Sequence, residues 1–451
     1  MVNKMEFLSQ INSFIELEKL KINKRYRLKY HMMPPVGWMN DPNGLIYFND
    51  TFHIFYQFNP YDTRPGKMMW GYFKSKDLIK YEDCGVAINT ELLNHSIFSG
   101  GAIEVDSKLN AIYTLHFEDE NCKKEEVYLQ EIGDNNNKCI FDNDKLPVNI
   151  SREDFRDPFP IKVGDYYYVF LGGKDINLNK GLIIVLRGKK IEELSYFSSI
   201  GPLYELGDMG ECPSYHKVGD KDVLLVSGCR VKERDNNFKN ENSSVFIVGK
   251  MNFENGEFEI DFIKEIDKGD TFYAPQFING IEEPIMIGWL EMWGKEYPTQ
   301  KLEHGYCGGL TIPRKLKIIQ GDIYQEPIDS LSKYHQEVNQ SNYGKCLDIE
   351  FDIKKQGEFK LIGDNGELVL GLNDYLYLDT IHTNNLNGCI RRTNHQYDDC
   401  HIRILLDVSS IEVFVSNGKE VISSRIYIDG DYQIGTNNQI SNLVIRKVGV
   451  D

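Results

Sequence analysis

The sequence predicts an all-β protein, a five-bladed β-propeller followed by a C-terminal β-sandwich, with a short N-terminal helix. Three observations carry this. Short apolar runs, His53-Ile54-Phe55-Tyr56, Ala111-Ile112-Tyr113-Thr114, Tyr167-Tyr168-Val169-Phe170, Val223-Leu224-Leu225-Val226 and Pro284-Ile285-Met286-Ile287, recur about every 56–60 residues, room for one four-stranded sheet per unit. Three acid-proline sites, Asp41-Pro42, Asp157-Pro158 and Glu211-Cys212-Pro213, each stand about twelve to fourteen residues ahead of such a run. After residue 343 short alternating strands continue without further acid-proline sites, over a length suited to a sandwich.

In chain order, Phe7, Leu8, Ile11, Phe14 and Ile15 fall at helical spacing within residues 5–20, so an amphipathic packing helix is expected in an extension over 1–24. From Tyr30 aromatic and β-branched runs alternate with Gly, Asn and Asp, the pattern of antiparallel strands and turns. The propeller is placed at 25–328. Residues 329–342 are polar and read as a linker, and 343–451 as the sandwich, where Ile411, Val413 and Val415 alternate before an Asn417-Gly418 turn and the return at Val421-Ile422.

Composition narrows the function. A chain of 451 residues, 41% apolar and 26% charged, is a soluble globular composition with two domains as the natural division. A net charge of −17 and a pI near 5.2 disfavour nucleic acid and membrane surfaces. Met1 to Gln10 is polar with no apolar signal region, and no run reaches membrane-spanning length, so a cytoplasmic location is expected. Nine scattered cysteines without metal-binding spacing read as free thiols; neither metal nor cofactor is called for.

Trp38-Met39-Asn40-Asp41-Pro42-Asn43-Gly44 read alone is turn chemistry. Its recurrence changes the reading. With Ser99 and Tyr273 at matching offsets in the second and fifth units, inner strands of a propeller would bring these positions to one end of the axial channel. Two of the acids could then protonate a departing glycosidic oxygen and attack or activate water, while the third binds hydroxyls and faces the developing cation. Cys212, beside Glu211, has no histidine-containing motif with it and reads as a buried, inert thiol.

The motifs resemble those of glycoside hydrolase family 32, the β-fructofuranosidase or invertase family, of the sucrose-6-phosphate hydrolase type. They comprise the 38–44 stretch, Phe55-Tyr56-Gln57, Trp70-Gly71, Phe98-Ser99-Gly100, Phe155-Arg156-Asp157-Pro158, Glu211-Cys212-Pro213, Phe272-Tyr273-Ala274-Pro275-Gln276, Gly288-Trp289 and Leu310-Thr311-Ile312-Pro313-Arg314. Asp407-Val408-Ser409-Ser410-Ile411-Glu412-Val413-Phe414 and Ser424-Arg425 follow in the second domain. The resemblance implies a retaining hydrolase of terminal β-D-fructofuranosides such as sucrose 6-phosphate or sucrose. Asp41 would be the nucleophile, Glu211 the acid/base and Asp157 the transition-state stabiliser. Trp38, Asn40, Gln57, Trp70, Phe98, Ser99, Arg156, Tyr273 and Trp289 would bind substrate, with Trp70, Phe98 and Trp289 as apolar walls for the sugar. Fructosyl transfer, hydrolysis of fructo-oligosaccharides and an inert sugar-binding propeller are the alternatives.

Physically, Glu211 should lie in a drier or more anionic setting than Asp41, with a raised pKa, and Arg156 should keep Asp157 ionised. Tyr72, Gly210 and Val127-Tyr128-Leu129-Gln130 depart from the family pattern and are expected at the pocket rim. Arg64, Lys67, Lys74, Lys174 and Arg230 are candidate contacts for a substrate phosphate.

Overall fold

The computed structural model describes residues 4–92, 94–134, 136–338 and 343–450. Five sheets follow one another along the chain. Their first strands, Gly37–Phe48, His95–Val105, Ile150–Val163, Met209–Val218 and Tyr273–Phe277, touch one another in a closed ring, the fifth returning to the first. They are the inner strands of five blades. The apolar runs that set the period lie on the second strands, Thr51–Asn59, Lys108–Glu118, Tyr166–Asp175, Lys221–Cys229 and Ile285–Trp289. Val223, Leu224, Leu225 and Val226 are all fully buried, because both faces of a blade are covered by its neighbours and alternation has no purpose there.

Closure is local and specific. After the second strand of the fifth blade the chain crosses over, and Tyr306–Cys307 pairs in parallel with Gly37 and Trp38 of the first. At the axis, Gln276 accepts from the Leu45 N–H at 2.9 Å and donates to the Gly100 carbonyl at 3.0 Å, while Asn279 donates to the carbonyls of Ala102 and Pro160.

The Trp38–Gly44 stretch is not a turn. It lies within an inner strand, whose register slips between Met39 and Pro42 and again between Asn43 and Ile46. Each other inner strand slips at the corresponding height, at Phe98-Ser99, Asp157-Pro158, Cys212-Pro213 and Ala274-Pro275, and the third slips again between Ile150 and Phe155. Asp157, Cys212 and Ala274 take φ of +62°, +48° and +47° there, at a cost of about 1 kcal/mol or more each. Proline is tolerated because an inner strand is an edge strand. Glu211 stands just ahead of its bulge, whereas Asp41 and Asp157 lie inside theirs. The blades therefore repeat in strand order but not in the placement of the acid, and the longer glutamate side chain makes up the offset.

The helix Lys4–Lys19 buries Ile11 and Ile15 against the outer part of the first blade, and Lys19 pairs with Asp83 at 2.7 Å. Beyond the propeller, a six-stranded and a five-stranded sheet enclose a core that includes Ile349, Phe351, Phe359, Leu361, Leu370 and Ile404. Part of the expected linker belongs to this unit, since His335–Gln336 pairs with Val448 and Lys447; positions 339–342 lie outside the described residues. The hairpin Ser410–Val415 and Glu420–Arg425 forms as expected. Gly418 at its tip has φ +81°, and a Cβ there would lie 1.7 Å from the Gln325 carbonyl oxygen of the fifth blade, so only glycine fits.

The Asp407–Phe414 segment ties the two halves together. His31 of the propeller is fully buried between Asp407 at 3.0 Å and Glu412 at 2.8 Å. Glu412 also takes Arg314, which reaches Asp267, and Arg425 pairs with Glu291 at 3.3 Å. A neutral imidazole would turn a lone pair toward one carboxylate, so the ring is held doubly protonated. Burial alone would lower its pKa, but the hydrogen bonds to Asp407 and Glu412 outweigh it and raise it from 6.5 to about 9. A raised pKa stabilises the fold fully below about 6.5, and that contribution, on the order of 3 kcal/mol, is lost as pH rises to and through about 9. We expect Tm to fall from pH 7 to pH 9.5 and His31→Gln to flatten that fall; an equally steep fall in the variant would discount the ion triad.

Candidate active site

Bulging turns side chains of the inner strands into one end of the channel, around a cavity of about 190 Å3. That is the space of roughly six water molecules, the scale of one sugar ring. Asp41, Asp157 and Glu211, from three blades, all line it, together with Asn40, Gln57, Phe98, Ser99, Arg156, Cys212, Met68, Trp293 and the Pro65-Gly66 loop.

Each acid is held differently. Asp41 Oδ2 accepts from the Ser99 hydroxyl at 2.7 Å and from the Cys212 thiol at 3.6 Å, whereas its Oδ1 is buried with no hydrogen-bond partner among the described residues. Asp157 Oδ2 accepts from the Cys212 N–H at 2.9 Å and lies 3.4 Å from the same Cys212 thiol, whose single proton serves either this carboxylate or Asp41. Glu211 is the most heavily bonded. Its Oε1 takes Nε and Nη2 of Arg156 at 3.2 and 2.9 Å, and its Oε2 takes the Tyr273 hydroxyl at 2.7 Å and the Cys229 thiol at 3.0 Å.

The electrostatics of the site reverse the expectation from sequence. Burial, with repulsion from Glu211, raises Asp41 to about 6. Burial raises Asp157 to about 7, with Glu211 and Asp41 adding to it against the pull of Arg156. Burial also pushes Glu211 upward, but Arg156, Cys229 and Tyr273 overcome it and leave its pKa lowered. The physical reason is the aim of Arg156, which bonds Glu211 and Glu125 and makes no hydrogen bond to the adjacent Asp157.

Several aromatic candidates are not walls. Trp70 is fully buried, donating to the Phe98 carbonyl and packing on Phe55 and Tyr113. Trp289 is fully buried against Trp38, with ring centroids 5.6 Å apart, and Trp38 donates to Asn40 from behind the lining. Tyr273 likewise stands behind Glu211. The exposed wall falls to Trp293, stacked edge-on against Trp289, and to Phe98, which lies flat on His116 at 4.1 Å. Trp293 sits in a loop with no motif around it. Cys229 could have been found from hairpin register, which sets it opposite Met209, two residues from Glu211. Glu125 gave no signal, since it sits in a charged run, Lys123 to Glu126, that reads as a solvated face.

The departures from pattern do not lie at the rim. Tyr72 is stacked on Phe55 and bonded to His53 at 2.6 Å inside the first blade. Gly210 abuts the third blade, where a Cβ would stand 2.9 Å from the Leu182 carbonyl oxygen. Val127 is core, and Gln130 accepts from Tyr113.

Residues 31–327 match the model of the glycosyl hydrolases family 32 N-terminal domain, and residues 329–445 that of the glycosyl hydrolases family 32 C terminal. The chain belongs to glycosyl hydrolase family 32. Among family relatives, the sucrose-6-phosphate hydrolase of Escherichia coli is 30% identical, with 92% of each chain covered, and that of Bacillus subtilis 26%, with 91% of each. Among solved structures, the GH32 beta-fructofuranosidase BmSUC1 of Bombyx mori superposes with a TM-score of 0.86 at 28% identity, over 99% of this chain and 98% of that one. The propeller and sandwich are thus the family architecture, and the cavity stands at one end of the propeller channel.

Proposed function

We propose that the chain is a β-fructofuranosidase that hydrolyses sucrose 6-phosphate or sucrose in the cytoplasm, with retention and through a covalent fructosyl intermediate. Its catalytic unit spans 25–328 and its sandwich 343–451. The observation that carries this is the pairing of an unbonded, buried Asp41 Oδ1 with a fully bonded Glu211 across a cavity the size of one sugar ring. Ser99 and Cys212 hold one oxygen of Asp41 and leave the other for the anomeric carbon. Glu211 gives its proton to the leaving oxygen and afterwards activates water. Asp157 holds fructosyl hydroxyls and its charge faces the developing cation.

Arg156 acts on both Asp157 and Glu211, and Asp41 and Glu211 repel each other, so the protons of the three acids belong to the set. Sugar hydroxyls donating to Asp157 and Asp41 stabilise those anions and send the shared proton to Glu211, which brings the site into its reactive state on binding. The leaving-group side is bordered by Pro65-Gly66, flanked by Arg64, which pairs with Glu296 at 3.5 Å, and Lys67, which donates to the Leu92 carbonyl. Turning toward a phosphate would break only that long ion pair and that one hydrogen bond; Arg230 is engaged more closely, by Asp208 at 2.7 Å, and Lys74 lies over Tyr72. The test compares kcat/KM for the two sugars. Lys67→Met with Arg64→Met should raise KM for sucrose 6-phosphate about ten-fold and leave sucrose unchanged. Equal kinetics on both sugars in the parent enzyme would remove the phosphate preference, and no cleavage of either would remove the function.

A further inference from the structure

The guanidinium of Arg156 lies between two carboxylates. Nη1 donates to both oxygens of Glu125, at 2.9 and 3.2 Å, while Nε and Nη2 serve Glu211. Glu125 is fully buried on the third strand of the second blade, Lys123–Glu131, and is not part of the cavity lining. Its remaining capacity is filled by the Phe155 N–H at 3.0 Å and His116 Nδ1 at 3.2 Å, with Lys123 at 3.9 Å. A charge so deep is unfavourable unless it is paired, and its principal partner is the arginine that holds Glu211.

We propose that Glu125 is a positioning residue that takes a share of the Arg156 charge, fixes the guanidinium edge presented to Glu211, and so keeps Glu211 able to accept the proton it must deliver. The inference rests on the role proposed for Glu211. Were Arg156 devoted to Glu211 alone, the two would form a closed buried ion pair whose carboxylate resists protonation near neutral pH. The groups that face Glu211 are Arg156 from the third blade, Cys229 from the fourth and Tyr273 from the fifth, with Asp41, Asp157 and Cys212 acting across the cavity. Glu125 reaches it only through Arg156. On the far side, His116 is also within 3.2 Å of Glu118, and Lys123 within 3.4 Å of Asp154, so Glu125 joins the site to the outer part of the second blade.

The experiment measures the pH profile of kcat/KM on sucrose together with a 13C-carboxyl NMR titration of Glu211, assigned with Glu211→Gln. Glu125→Gln keeps the shape and removes the charge. The alkaline limb and the Glu211 carboxyl should both move down by roughly one pH unit, with about a ten-fold loss of kcat/KM at neutral pH and little change in KM. Glu125→Asp, which keeps the charge, should restore the limb to within a few tenths of a unit. Lost activity with both titrations unmoved would make Glu125 purely structural and overturn the proposal. If Glu125→Gln does not fold, Lys123→Met, at a part-exposed position, frees Glu125 to hold Arg156 more closely and should move both titrations upward; no movement overturns the proposal. If the parent enzyme cleaves no fructoside yet the Glu211 carboxyl titration shifts as stated, the proposed function fails while the charge sharing stands.

Discussion

Asp41→Ala is expected to lower kcat by about four orders of magnitude or more on every fructoside, whatever its leaving group, because the covalent bond proposed for every substrate forms at the carboxylate this change removes. The same change should not weaken the fold. Asp41 is buried with one oxygen unbonded, and its pKa is raised from 3.8 to about 6. For an acid, a raised folded-state pKa means that the ionised form is penalised by folding. The penalty, on the order of 3 kcal/mol, is absent at low pH and complete above about pH 6. The variant should therefore melt at an equal or higher temperature at pH 7, and its advantage should vanish near pH 4. Activity within a hundred-fold of the parent, or a loss accompanied by a lower Tm, would argue against Asp41 as nucleophile.

Glu211→Ala is expected to separate substrates by leaving group. Sucrose needs its departing oxygen protonated, so the loss there should be about a thousand-fold, in the range of a general acid. An aryl fructofuranoside with an acidic phenol needs little protonation and should lose about ten-fold or less in the fructosylation step. Equal losses on both would sink the assignment of Glu211 as the acid. Thermal melts of Glu211→Gln belong beside these rates, because the alanine variant leaves Arg156 with Glu125 as its one anionic hydrogen-bond partner among the described residues.

Much of the architecture was legible in the chain by itself. The spacing of Phe55, Tyr113, Val169, Leu225 and Ile287 marked one strand in each blade, since strand order and hairpin pairing are local and repeat with the backbone. Ile11 and Ile15 gave the helix face, and Ile411, Val413 and Val415 the sandwich hairpin, by the simple periods of the two structures. The acid-proline sites announced three carboxyls in one funnel, and the structure brings Asp41, Asp157 and Glu211 to one cavity. What only the tertiary structure decided is which side chain answers which. Arg156 passes over its sequence neighbour Asp157 for Glu125 and Glu211, 31 and 55 residues away. Trp293 faces the cavity while Trp289 is buried behind it, and Asp407 and Glu412 of the sandwich close on His31 of the propeller. The pKa order inverts for the same reason. Periodicity is a property of a strand and its hairpin partner, but burial and charge pairing are set where separate blades and domains meet, at distances along the chain over which no period carries information.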